Sequence, residues 1–348
     1  MAGQGVSAFL VTRRTDAFYL TGFTGEDSAI LVLPRAVHVI SDARFEETIS
    51  DEIPWARKHL RKNLLADEIG KVCRSLDLKE LYVQPSGLTV SDHAALRKAV
   101  RPTKLVAAPA ICKSLRICKD ETEIKALGRA IRVAQKAFQA VCSQLRVGMT
   151  ERELAARIEY EMRLLGAEGA SFDTIVAIDA NASHPHAHAG SRRIRSGSSV
   201  LIDWGAVVGW YRSDLTRCIF VNKIPPRIGK VYDVVLEAQL AAIRAVKPGA
   251  RMCDVDDVAR GVIRKAGFGD RFGHGLGHGL GLEVHEPPSL SWRSAEKLAA
   301  GMVVTVEPGI YLPGVGGVRI EDDVLVVPGG CRVLSHLPKQ LGRSVVRV

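Results

Sequence analysis

Two strand–turn–strand segments, each with an acidic residue on both arms, limit what this chain can fold into more than any other feature. In the first, Val200–Val207 is apolar and β-prone, Gly209 offers a turn, and Tyr211–Val221 reads as the returning strand. A turn centred between Val208 and Gly209 sets Asp203 directly opposite Asp214, with both carboxylates on one face. In the second, Met302–Glu307 and Gly317–Glu321 flank Pro313-Gly314-Val315-Gly316, and a turn centred on Gly314 sets Glu307 opposite Glu321. Carboxylates gathered this way repel one another, and in a buried site they protonate unless a cation compensates them. Metal ions, rather than salt bridges, are therefore expected at the centre.

A fifth ligand lies in Phe272–Pro288, a stretch too rich in glycine for an ordinary helix and too rich in histidine for an ordinary linker. The glycines beside His278 let the backbone come close to a ligand. Asp203, Asp214, Glu307, Glu321 and His278 together describe a site for two hard divalent ions. Imidazole on an oxygen-rich background favours Mn, Co, Fe or Zn over Ca, and the chemistry that follows is metal-assisted hydrolysis.

The runs GHGLGLEVHEPP, DWGA with SDLTR, VEPGIY and GVRIED together resemble the pita-bread metallopeptidases, the family of prolidase, Xaa-Pro aminopeptidase and methionine aminopeptidase. Ala17–Phe23 and Ser41–Phe45 resemble the amino-terminal domain of the proline-directed branch, so the resemblance spans nearly the whole chain. It implies an α+β fold, with a pita-bread (creatinase/aminopeptidase) catalytic domain over residues 119–348 behind a smaller α/β creatinase-type domain over residues 1–112.

The same resemblance implies roles. Asp214 and Glu321 would bridge two ions, Asp203 would hold one, and His278 with Glu307 the other, manganese being favoured by analogy. Glu307 would also carry the proton from the attacking water to the leaving nitrogen. His186, following Pro185, and His285 would donate hydrogen bonds to the substrate or intermediate. His274 and Arg319 would meet the substrate's carboxyl-terminal side or order the site. The implied substrates are proline-containing di- or oligopeptides, cleaved by a prolidase (Xaa-Pro dipeptidase) or, alternatively, by an Xaa-Pro aminopeptidase acting on longer peptides. A non-catalytic pita-bread binding protein, or a metal-independent relative such as creatinase, would have lost a ligand, and none is lost. A homodimer is expected by the same resemblance.

Other residues keep more than one reading. Thr216 shares a face with Asp214 and can orient it through a hydrogen bond. Trp204, Trp210 and Tyr311 can line a proline pocket or pack in the core or rim, and His184 and His188 are bystanders beside His186 unless alternation along the loop places one of them near the site.

The remaining sequence sets the frame. Up to about Ala110, strand-like runs such as Ala29–Leu33 and Val37–Ile40 alternate with helical ones such as Ala56–Cys73, an α/β pattern, and Pro102 and Pro109 bracket a connector. Asp120 caps a long amphipathic helix to about Leu145, and Thr150 with Glu153 forms a capping box that opens a second. A third helix runs from about Ile228 to Val246 and a fourth from Val255 to Ala266, so two helices and a ligand-bearing hairpin occur twice.

With 47% hydrophobic residues, no apolar run long enough for a bilayer and no basic-then-apolar leader, a soluble protein without membrane contact is expected. Seven scattered cysteines without a CxxC pair point to reduced thiols and a cytoplasmic location. The formal net charge of +10 is spread along the chain, aromatics are only 5%, and no stacking platform or binding motif accompanies the charge, so a solvated basic surface without nucleic acid is expected.

Overall fold

The computed structural model describes residues 5–348, which fall into two compact units meeting in sequence between Arg116 and Ile117. The first is built on a six-stranded sheet of β1 (Phe9–Val11), β2 (Ala29–Leu33), β3 (Ala36–Asp42), β4 (Arg57–Arg61), β5 (Glu80–Val83) and β6 (Lys104–Ala107), in the order β4-β3-β2-β1-β5-β6. Helices α1 (Arg14–Thr21), α2 (Glu46–Glu52), α3 (Leu65–Ser75), α4 (Val90–Ala99) and α5 (Ile111–Arg116) connect and follow the strands. Two buried clusters, one around Phe9, Phe23 and Ile30 and one around Leu10, Leu31 and Ile69, divide the alternating side chains of β1 and β2 between the two faces of the sheet.

Both edge strands depart from the sequence expectation. Residues 57–61, read as the start of a helix, form β4, and the connector between Pro102 and Pro109 holds β6. The reason is position in the sheet: an edge strand needs no apolar alternation, and Arg57-Lys58-His59-Leu60-Arg61 carries the charges that keep an edge from pairing further.

The second unit opens with α6 (Glu121–Ser143), capped by Asp120 in a reciprocal box with Glu123, and α7 (Glu151–Leu164), capped likewise by Thr150 and Glu153. Strands β7 (Gly169–Ala170), β8 (Ile175–Ile178), β9 (Ser199–Trp204), β10 (Ala206–Val208), β11 (Tyr211–Arg212) and β12 (Leu215–Val221) follow, then α8 (Pro226–Ala245) and α9 (Met252–Lys265). The chain ends with β13 (Gly277–Gly279), β14 (Glu286–Leu290), β15 (Val303–Val306), β16 (Gly309–Leu312), β17 (Gly316–Arg319), β18 (Asp322–Val327), β19 (Gly330–Val333) and β20 (Val345–Val346).

Helices α6 and α7 pack with the sheet β20-β12-β9-β8, and α8 and α9 pack where that sheet meets β14-β13-β15-β18-β19. Along β9, Val200, Ile202 and Trp204 enter the core under α6 and α7, which turns Leu201 and Asp203 to the opposite face. All seven cysteines are free thiols. Among the described residues no helix is long and apolar enough to cross a membrane.

Candidate metal centre

The first hairpin turns one residue later than the sequence suggested. Gly209 and Trp210 both have positive φ, 58° and 71°, and form a two-residue primed turn between the paired Val208 and Tyr211. The register therefore moves by two, and Asp203 faces Thr216 rather than Asp214. Asp214 lies one step along the same face, past the point where β9 and β12 stop pairing, and stays diagonal to Asp203. A bulky tryptophan at positive φ is uncommon, which is why the turn was misplaced from sequence.

The second hairpin keeps the expected register. Gly309 faces Arg319 on one side and Val306 faces Asp322 on the other, so Glu307 and Glu321 meet where the two ladders join. His278 comes from the middle of β13, against β15. A Cβ at Gly277 would sit 2.1 Å from the Thr305 carbonyl, so only glycine lets the His278 strand lie this close to the strand of Glu307.

Hydrogen bonds fix the orientation of each ligand. The His278 Nδ1 lies 3.1 Å from the Gly279 carbonyl, which leaves Nε2 facing Glu307 Oε1 at 3.2 Å and Asp214 Oδ2 at 3.6 Å. Thr216 Oγ1 donates to Glu321 Oε2 at 2.6 Å and accepts from Arg319 Nε at 3.1 Å. Arg319 also pairs with Asp203 Oδ2 at 2.5 Å and donates to the Tyr311 hydroxyl at 2.8 Å and the Pro185 carbonyl at 3.3 Å. Because Tyr311 receives that proton, its own goes to His274 Nε2, 2.9 Å away, and His274 Nδ1 donates to the Gly275 carbonyl at 2.8 Å.

These surroundings leave the carboxylates short of positive charge. Burial first, then Glu321, Asp203 and Glu307, push the Asp214 carboxyl well above the ordinary range. Burial followed by Glu307 and Asp203 does the same to Glu321, and Asp203 is raised by burial despite Arg319. Glu307 goes the other way, its burial outweighed by the hydrogen bond and charge of His278, which is itself raised in return. His274 and His285 are both lowered, chiefly by burial.

The residues fit divalent cations. Among the described residues Asp203 Oδ1 and Glu321 Oε1 are buried without a hydrogen-bond partner, and ligand atoms of Asp214, His278 and Glu321 lie within 4.8 Å of one another. Among the described residues Arg319 is the one guanidinium that pairs with these four carboxylates, so in their ionised form they carry an excess of negative charge that bound cations would offset.

These groups lie at the foot of a cavity of about 1020 Å³. Asp203, Asp214, His278, Glu307 and Arg319 line it, as do His186, His188, His274 and His285, whereas His184 is not among the lining residues. The His285 ring meets His278 edge-on with centroids 4.3 Å apart. Trp204 belongs to the core, its indole N–H donating to the Ala134 carbonyl at 2.9 Å and its ring stacked on Phe138. Trp210 occupies the turn and is absent from the cavity wall.

Sequence reasoning missed Phe172 and Trp292 on the wall, and Thr305 and Asp323 beneath it. Thr305 donates to Glu307 Oε1 at 3.2 Å and accepts from the His278 amide at 3.0 Å, while Asp323 accepts from the Asp214 amide at 3.4 Å. A signal existed for these two, since each stands two residues from a ligand on its strand and so shares its face.

Residues 125–328 match the model of Metallopeptidase family M24, and residues 1–118 match that of the Creatinase/Prolidase N-terminal domain. A Xaa-Pro dipeptidase of Pyrococcus horikoshii is 36% identical over 98% of this chain and 96% of its own length. The solved structure of a Xaa-Pro dipeptidase from Bacillus anthracis superposes with a TM-score of 0.94 at 35% identity, covering 100% of this chain and 96% of the other. An X-Pro aminopeptidase from Thermotoga maritima superposes with a TM-score of 0.93 at 36% identity, covering 100% and 99%.

Proposed function

The chain belongs to metallopeptidase family M24, and from that premise we propose that it is a prolidase, hydrolysing the Xaa-Pro bond of dipeptides with two divalent ions. The observation that carries this reading is the convergence of four carboxylates and one imidazole, two carboxylate oxygens unpartnered, with Asp203, Asp214, Glu307 and His278 lining a cavity whose wall also holds His186 and His285, and Glu321 buried next to Asp214 and His278. The resemblance to dipeptidases across the whole chain supports the substrate class.

In this reading Asp203, Asp214, His278, Glu307 and Glu321 hold the ions, with manganese favoured because the donors are mostly hard carboxylates. Bound there, the ions supply Lewis acidity that acidifies water and polarises the scissile carbonyl. Glu307 takes a proton from the attacking water and delivers it to the proline nitrogen, a transfer that amide cleavage requires because the free nitrogen anion is a poor leaving group. His186 and His285 donate hydrogen bonds to the carbonyl oxygen as it gains charge. His274 and Arg319 act mainly through the wall they build. Their polar atoms are engaged by Tyr311, Thr216 and Asp203, so their part is to hold Asp203 and the cavity edge in place.

A second reading, an Xaa-Pro aminopeptidase acting on longer peptides, is favoured by the likeness to the Thermotoga enzyme. A panel of Xaa-Pro dipeptides, Xaa-Pro-Xaa tripeptides and Met-Ala peptides, assayed on metal-reconstituted protein, separates the possibilities. Cleavage of the dipeptides alone is expected. Equal or faster cleavage of tripeptides selects the second reading, and release of methionine without Xaa-Pro cleavage overturns both.

A further inference from the structure

The loop that carries His186 runs from the end of β8 to the bridge before β9, and its two ends are tied to one carboxylate outside the metal centre. Glu151, the first residue of α7, is buried, at 1% exposure. Its Oε1 accepts from the Ile178 amide at 2.8 Å and from Asn181 Nδ2 at 2.9 Å, where the loop leaves β8. Its Oε2 accepts from the Gly190 amide at 2.8 Å, where the loop returns. Backbone bonds from the Glu151 amide to Arg192 and from the Arg152 amide to Gly190 continue the return.

Between these anchors the loop rests on β17. A Cβ at Gly317 would lie 2.0 Å from the Ala182 carbonyl, and Arg319 reaches the Pro185 carbonyl. His186 itself is exposed and lines the cavity, and its side chain makes no hydrogen bond or ion pair among the described residues. Its position is therefore inherited from the loop, and the Glu151 side chain bonds both of the loop's ends, beside the backbone bonds at the return and the Asp179 carboxylate that accepts from Ser198 and Ser199.

We propose that Glu151 is a positioning residue for hydrolysis, setting the place of His186 by clamping both ends of residues 178–190; this rests on the role given to His186 above. A full carboxylate is needed because both oxygens accept. Glutamine keeps one carbonyl for Ile178 and Asn181 but turns an NH2 group toward the Gly190 amide, donor against donor.

The amide hydrogens of Ile178 and Gly190 report the clamp directly, with neither substrate nor metal present. In Glu151→Gln, hydrogen exchange at Gly190 is expected to speed up at least about tenfold while Ile178 stays closer to wild type. In Glu151→Ala both amides are released. In the metal-loaded enzyme, Glu151→Gln is expected to keep its metal content and lose roughly tenfold to a hundredfold in kcat with little change in KM, the scale expected when a group is displaced by about 1 Å.

The deciding measurement is the pair with His186→Ala. If Glu151 acts through His186, the double variant Glu151→Gln/His186→Ala is no slower than His186→Ala alone. A double variant slowed by the product of the two single losses overturns the proposal, as does unchanged exchange at both amides. Should Glu151→Ala fail to fold, Glu151→Gln carries the same test. A wild-type enzyme that leaves Xaa-Pro bonds intact refutes the function instead, and exchange at the two amides still decides the clamp.

Discussion

Replacing Thr216 by valine removes one hydroxyl from the floor of the metal centre and almost nothing else. Valine has the same shape and the same preference for a strand, and Thr216 is fully buried beside Asp203 in the ladder of β9 and β12. What is lost is the 2.6 Å bond to Glu321 Oε2 and the 3.1 Å bond from Arg319 Nε. Each involves a charged partner, for which a net value of about 1.5 kcal/mol is the low end. Arg319 keeps Tyr311, Pro185 and Asp203 when the hydroxyl is gone, and taking the low end for both bonds puts the loss at about 3 kcal/mol.

Urea unfolding of metal-free Thr216→Val should show that loss through a lower midpoint at unchanged slope. Metal affinity, measured by calorimetry, should fall roughly tenfold to a hundredfold, as for other residues that orient a ligand. Thr216→Ser, which restores the hydroxyl, should recover most of the affinity. A valine variant less than about 1 kcal/mol weaker, with wild-type affinity, would refute the idea that this hydroxyl holds Glu321 and Arg319 together.

Asp214→Asn and Glu321→Gln should each lower metal occupancy and nearly abolish turnover, and the double variant should be little worse than either, because both serve the same ions; full metal content with full activity in either one, by elemental analysis and rate, rules out their shared role. His186→Ala should keep both metals and lose about a hundredfold in rate, since it removes a donor to the transition state rather than a ligand. A missing ion in that variant would make His186 a ligand. The metal-free protein should become less stable as pH rises above the ordinary carboxylate range: Asp214 and Glu321 hold their protons longer when folded, chiefly through burial, so folding takes up protons and is disfavoured as they leave. Saturating metal should flatten that slope, and parallel melting curves against pH with and without chelator would contradict it.

Much of this protein was written locally. Asp120 with Glu123 and Thr150 with Glu153 open their helices as capping boxes, because a cap is a contact between residues three apart and needs no tertiary partner. The register that brings Glu307 to Glu321 followed from Gly314, whose φ of 71° lets the chain turn there. The ligand types and their chemistry were legible for the same reason, each lying in a short motif of its own.

What the sequence could not decide were matters of neighbourhood. The edge strands β4 and β6 hid because a strand at the rim of a sheet carries no alternating pattern. The turn at Gly209 and Trp210 hid because a tryptophan rarely takes the positive φ it has there, and that turn sets Asp203 opposite Thr216 rather than Asp214. The burial of Trp204 against Phe138, the chain from His274 through Tyr311 to Arg319, and the grip of Glu151 on both ends of the His186 loop all join residues 27 or more positions apart, with one exception, Tyr311 to Arg319, whose strands pair across the turn at Gly314. A hydrogen bond across such distances depends on where whole elements pack, and packing is settled by the sum of the buried surface rather than by any motif.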